Sequence, residues 1–393
     1  LAMPAHSPVP GAAPAGGSIV AALLLPQDRI PREPLSAWAG RLRQNVERFR
    51  RSARTPVQLS REGSAAGNNA ALIAALRGDA EGAWAACERQ MWWQARLSRR
   101  ARVPAIAARC VQPWVNLARL EALAGDWQGA VTRLERLRPL GKSGAIALQP
   151  LRRDGTGCSQ ITGSGDDDFP AVLDNMYVID TLRALLQNRR WDEVLHFADA
   201  VRRRFRPGLG LWAMEAQVVA ACRAGDHDRA RAVACEALER PDVTAWRRVV
   251  FRMRLAEVEA CAGDAAGAAA ALAPLARGVR RLSAEARAQL QPLYVLARLA
   301  GACLECGMAE DAAAIAGGVY EGARAAGDQV FQVEALRVLV RAAPDAGRAG
   351  WAETLAALQG ETEYRQYRAP GAPPADSVVI DALLAELAEV YAA

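Results

Sequence analysis

The chain has 393 residues, 51% of them hydrophobic, with a net charge of +6. That length can bury a substantial core, and no run approaches the ~20 apolar residues that a transmembrane helix needs. Alanine and leucine supply most of the apolar content, while β-branched and aromatic runs are scarce. The expected class is therefore all-α. Lys142 is the only lysine, so 48 of the 49 basic residues are arginine, a skew that a GC-rich coding sequence produces by itself. Charge is nevertheless uneven: residues 1–110 hold 16 arginines against 7 acids. A basic N-terminal third suits RNA, an acidic lipid surface or an acidic protein. The eight cysteines are dispersed, and all but Cys158 fall in helical pattern, where cysteine packs as a small apolar residue. A chain of this size needs no disulfide staples, which points to a reducing intracellular compartment: cytoplasm, or an organelle matrix after loss of a targeting segment.

Residues 1–34 are rich in Pro, Ala and Gly and read as an extended arm able to drape over neighbours. Its apolar stretch Ile19–Leu25 stops at Pro26, too short to span a membrane and without the basic flank of a signal peptide. Residues 35–68 follow as a basic amphipathic helix and a loop. Leu35, Trp38, Leu42, Val46 and Phe49 share one helical face, and Arg41, Arg43, Arg48, Arg50 and Arg51 fill much of the rest. Residues 52–68 look loop-like.

From 69 to 345 a unit recurs: helix, a Gly-Asp turn or a variant, then a helix with a small residue five places after the Gly. The copies are Gly78-Asp79 with Ala83, Gly125-Asp126 with Ala130, Gly225-Asp226 with Ala230, Gly263-Asp264 with Ala268 and Gly307-Met308 with Ala312. A degenerate copy has Arg189 at the turn and Val194 after it. Glycine ends the first helix where φ must be positive, and Asp caps the second. Turn spacings are 47, 64, 36, 38 and 44 residues. The outlier contains residues 141–170, a Gly/Ser/Asp-rich stretch of 30 whose removal leaves 34, so it reads as an insertion in a continuous array. Residues 346–393 should close the array: a helix over Trp351–Leu358, a linker over Tyr364–Pro374, and a last helix with Val379, Leu383, Leu387 and Val390 on one face.

Trp114, Leu117 and Ala118 before Gly125-Asp126-Trp127 and Ala130, with Leu255-Ala256 before Gly263 and Leu299-Ala300 before Gly307, make the pattern resemble the tetratricopeptide repeat. The resemblance covers about residues 69–345. It implies a right-handed solenoid of antiparallel hairpins with a groove lined by each first helix. Counting back from the turns places Gln112, Asn116, Arg119, Met176, Arg183, Trp212, Glu215, Arg223, Met253 and Glu257 in that groove. Members that bind chaperones clamp a terminal carboxylate with paired Asn residues; Asn116 matches one position, but Arg119 stands at the other. The mixed Arg, Trp and Met surface suits an amphipathic helix or extended peptide instead.

Residues that could carry chemistry are few. Of the three histidines, His6 lies in the arm, His227 at a turn and His196 beside Phe197 on a second helix; no catalytic triad can be assembled by spacing. Cys303-Leu-Glu-Cys306 lacks the second pair that a zinc site requires and reads as packing. Gly141-Lys-Ser-Gly144 has Arg136 where a phosphate loop needs its first Gly, and Asp166–Asp168 lack the spaced ligands of a calcium loop. No metal or cofactor is expected. Arg99, Arg100 and Arg102 follow Trp92-Trp93, a combination that could meet an anionic partner. The leading expectation is a non-enzymatic scaffold holding a protein partner in its groove. The alternative is an RNA-binding repeat using the basic third, and a third reading is a ligand-sensing or biosynthetic protein with a site in the groove.

Overall fold

The computed structural model describes residues 35–51, 55–101, 106, 109–137, 145–148, 159–162, 169–205, 207–289, 293–361 and 378–392. These hold seventeen helices and one two-stranded ribbon. The expected arm, Arg102, the Gly141–Gly144 and Asp166–Asp168 stretches, and the linker at Tyr364–Pro374 lie outside them.

Helix α1 spans Leu35–Arg51 and precedes a first hairpin of α2 (Pro56–Leu76) and α3 (Ala80–Ala101). Next come α4 (Val111–Leu123) and α5 (Trp127–Glu135). The insertion follows, with β1 (Ala145–Leu148) and β2 (Ser159–Thr162) paired antiparallel. The array resumes with α6 (Phe169–Gln187) and α7 (Trp191–Arg204), then α8 (Pro207–Arg223) and α9 (His227–Glu239). Helices α10 (Ala245–Cys261) and α11 (Ala265–Arg280) lead through a short α12 (Ala284–Gln289) to α13 (Leu293–Glu305) and α14 (Ala309–Ala325). Helices α15 (Gln329–Ala342), α16 (Asp345–Glu361) and α17 (Val378–Ala392) end the described chain. Successive helices pack on one another, and first helices also touch first helices, in the row α4, α6, α8, α10, α13, α15.

The turns explain why the hairpins repeat. At Gly125, φ is +89°. Its N–H bonds the carbonyl of Ala122 at 3.1 Å, and the N–H of Asp126 bonds that of Glu121 at 2.9 Å. This pair satisfies the last carbonyls of a helix and requires a left-handed residue between them. The same two bonds recur at Gly78, Gly225, Gly263 and Gly307, as the sequence pattern predicts, and at Arg189 and Gly327. Gly327 escapes a search for periods of 34–47 residues because it joins one hairpin to the next, 20 residues after Gly307. Asp126 then caps α5, its Oδ1 accepting from the N–H of Gly129 at 2.8 Å. A Cβ on Gly129 would sit 2.3 Å from Asp126 Oδ2, so the glycine admits the close cap.

The expected loop at 52–68 is a correction: from Pro56 onward it is helix. Ser60, Gly63, Ser64 and Gly67 look turn-forming, but they are a stripe at helical spacing that lets α3 and α17 approach. Ser60 Oγ donates to Gln94 Oε1 at 2.7 Å, and Gln94 Nε2 donates back to the Ser60 carbonyl at 2.8 Å. A Cβ on Gly63 would meet Trp93 Cζ3 at 2.6 Å.

The last helix also departs from expectation. It does not simply finish the final repeat: α17 packs on α1, α2 and α3. Leu383, Leu387 and Tyr391 join Leu42, Val46, Phe49, Ile73 and Trp93 in one apolar cluster that also takes in Val330 and Val333 of α15. Both ends of the array thus share a core. The Tyr391 hydroxyl donates to the Gly63 carbonyl, and Arg50–Glu386 and Arg77–Asp381 ion pairs flank the seam.

Candidate functional site

The first helices carry a polar ladder. On α4, Val111–Leu120 is almost entirely buried, wedged among α3, α5 and α6. Arg119, only 7% exposed, pairs with Asp180 of α6 in fork geometry: Nε to Oδ1 at 2.8 Å and NH2 to Oδ2 at 2.9 Å. Its NH1 donates to Asn116 Oδ1 at 3.2 Å, and that oxygen also accepts from Gln112 Nε2 at 3.1 Å. Arg183 reaches the same carboxylate, NH1 to Asp180 Oδ1 at 3.5 Å. Asp180 is thus clamped from two helices, and bidentate pairing is the geometry in which a guanidinium offsets desolvation best.

A second knot centres on Glu215 of α8. Arg247 NH1 lies 3.0 Å from its Oε2, Arg254 NH2 lies 2.9 Å from Oε1, and Arg298 NH1 lies 3.7 Å away. Arg254 also holds Glu257 at 2.6 Å. Burial pushes the Glu215 carboxyl up, but Arg254, Arg298 and Arg247 together pull harder and leave it below the ordinary range. The Arg247 guanidinium stacks on Trp212, 3.7 Å from the ring centroid. Helices α8, α10 and α13 are thereby cross-linked along one row.

The candidate groove residues therefore divide. Asn116, Arg119 and Glu215 are buried within the ladder and serve its internal bonds. Met253 lies in the apolar core at 1% exposure, not in a groove; it sits one turn from Ala256 on the packed side of α10. Gln112, Met176, Arg183, Trp212 and Glu257 stay partly accessible, and Arg223 is exposed at the end of α8. Sequence reasoning missed Asp180, Arg254 and Arg298. Asp180 had a signal, because a lone carboxylate inside Tyr177–Leu186 must find a buried cation. Pairing Arg254 and Arg298 with Glu215 needs the three-dimensional stacking of repeats.

The basic clusters resolve differently. Arg99 and Arg100 are exposed near the end of α3. Trp93 is buried against Phe49 and Tyr391 and offers no open face for stacking, whereas half-buried Trp92 carries Arg96 over its ring at 5.3 Å. Arg248 caps a neighbouring helix end, donating to the carbonyl of Leu238 at 3.0 Å. Arg202 bonds Gln217 and Glu236. Cys303 is fully buried, and burial pushes its thiol up to about 12, as for Cys87 and Cys110. Cys303 is therefore packing, as expected from its place before the turn.

No model of a known protein family matches the chain, and no curated protein matches it. Among the described residues, no helix is long and apolar enough to cross a membrane.

Proposed function

We propose that this chain is a non-catalytic helical-repeat scaffold, a right-handed array of the tetratricopeptide type, whose first-helix face holds an acidic peptide or helix of a protein partner. One observation carries the reading: five arginines (119, 183, 247, 254 and 298) from one row of helices converge on the carboxylates of Asp180, Glu215 and Glu257. Within these two clusters guanidiniums outnumber carboxylates, and the internal pairs fix the guanidiniums in place, so little rotamer entropy is left to lose on binding. Trp212 adds the amphipathic ring that interface anchors favour. Chemistry points the same way: Glu215, held ionised by three guanidiniums, is a weak base, and such a set binds and orients. Burying thiols as apolar side chains suits a reducing intracellular compartment.

The test is selection from a displayed random-peptide library with the full chain as bait. Acidic, amphipathic sequences should be enriched. Arg183→Gln with Arg298→Gln, which keeps side-chain length and removes two partly exposed charges, should lose them. Enrichment indifferent to that pair, or retained only while Arg99 and Arg100 are intact, would overturn the proposal.

A further inference from the structure

A separate recess lies where the two ends of the array meet. A cavity of about 500 Å³ opens between α1, α2, α3 and α17, within the range that binds small ligands. Its floor is a closed triad of rings: Phe49 and Trp93 meet edge-to-face at 4.9 Å, and Tyr391 lies 5.3 and 5.4 Å from them. Leu59, Leu97 and Val390 form half-buried apolar walls. Among the described residues the charged lining is Arg96 and Arg100 with the carboxylate of Glu389, and Arg50, which is paired with Glu386.

We propose that this cavity is a binding site for a long-chain fatty acid, with the acyl chain on the aromatic floor and the carboxylate among the arginines at the rim. Three features select that occupant. The rings and leucines carry only two side-chain polar atoms, the Trp93 indole N–H and the Tyr391 hydroxyl, and the hydroxyl is already committed to the Gly63 carbonyl. An apolar body is therefore wanted. The excess of guanidinium over carboxylate asks for one anionic group, and forked donors suit a carboxylate. Four helices line a recess that has a floor and is open on one side, which fits one flexible chain better than the flat face of a partner helix. The site does not depend on the polar ladder of the first helices, since no residue is common to both.

Isothermal titration of the full chain with saturated fatty acids of increasing length, below their micellar concentrations, tests the assignment. Each added methylene should tighten binding about fourfold until the cavity is full, the factor that burial of one CH₂ supplies. The methyl ester of the best acid should bind at least tenfold more weakly. Arg96→Gln with Arg100→Gln should weaken the acid and leave the ester unchanged. Leu97→Trp, which fills the cavity, should abolish both while circular dichroism stays native. If no chain length binds, or if ester and acid bind alike, the assignment is wrong. The wild-type series and the ester comparison decide the matter even should Leu97→Trp fail to fold.

Discussion

Gly63→Ala probes the seam where the ends of the array meet. In an ordinary helix interior, Gly→Ala gains roughly 1 kcal/mol. At Gly63 the new Cβ would lie 2.6 Å from Trp93 Cζ3, 2.9 Å from Cη2 and 3.1 Å from Phe49 Cζ, all rigid ring atoms. Trp93 cannot simply retreat, because Phe49 and Tyr391 hold its other sides. Overpacking of this kind costs about 1–3 kcal/mol, so the net change should be a loss of up to about 2 kcal/mol. Gly317→Ala in α14 is the control, since nothing lies within 4 Å of a Cβ there and the full gain should appear. Urea unfolding followed by circular dichroism compares the two, provided the m value is unchanged. Adding Tyr391→Ala opens space beside Trp93 and should remove most of the Gly63→Ala penalty. If Gly63→Ala stabilises as much as Gly317→Ala, or if Tyr391→Ala leaves its penalty unaltered, α17 is not seated on α2 and α3 as described.

Asp180→Asn strands two guanidiniums in a buried site and should cost about 3–5 kcal/mol, whereas Arg119→Met with Asp180→Leu should lie much nearer to neutral; a double-mutant cycle by urea unfolding measures the coupling. Glu215→Gln should also destabilise at neutral pH. Because the folded carboxyl sits below its ordinary value of 4.5, its contribution is fully present above that pH and is lost as pH falls through the folded value. The variant should therefore show a flatter acid limb in a pH series of melting temperatures, and an unchanged limb would contradict the Glu215 knot. Arg189 holds φ +56° where the other turns have glycine. Arg189→Gly should stabilise by roughly 0.5–1 kcal/mol, the strain relieved less the added chain entropy, and a loss in denaturant midpoint would show that the arginine side chain matters more than its backbone.

The hairpin array was legible because its turns obey local chemistry: a left-handed residue and a cap are written in neighbouring positions, as in Gly125-Asp126. Arg189 was legible only by spacing, and Gly327 fell outside the period sought. The error at residues 56–68 has one source. Ser and Gly break helices in isolation, yet here they are what two close helices require, and only the partner residues Trp93, Gln94 and Tyr391 reveal it. The same holds for α17, whose apolar face was evident in sequence but whose docking partner lies some 300 residues away. Which of the candidate site residues stay accessible was not legible in the sequence. Met253 stands between Arg252 and Arg254 in sequence yet packs in the core, and Arg119 is consumed by Asp180.

The first-helix face is proposed to bind acidic protein rather than nucleic acid. Equilibrium titration of the full chain with a labelled acidic amphipathic peptide from the selection, and with a labelled single-stranded RNA, decides between them. Each is measured at about 50 and 200 mM salt, a range over which affinity resting on many phosphate contacts falls by orders of magnitude. The expected result is peptide binding that Arg183→Gln with Arg298→Gln weakens tenfold or more and that Arg99→Gln with Arg100→Gln and Arg102→Gln leaves within twofold. RNA that binds more tightly than the peptide, with a steep salt dependence abolished by the Arg99, Arg100 and Arg102 changes, would contradict it.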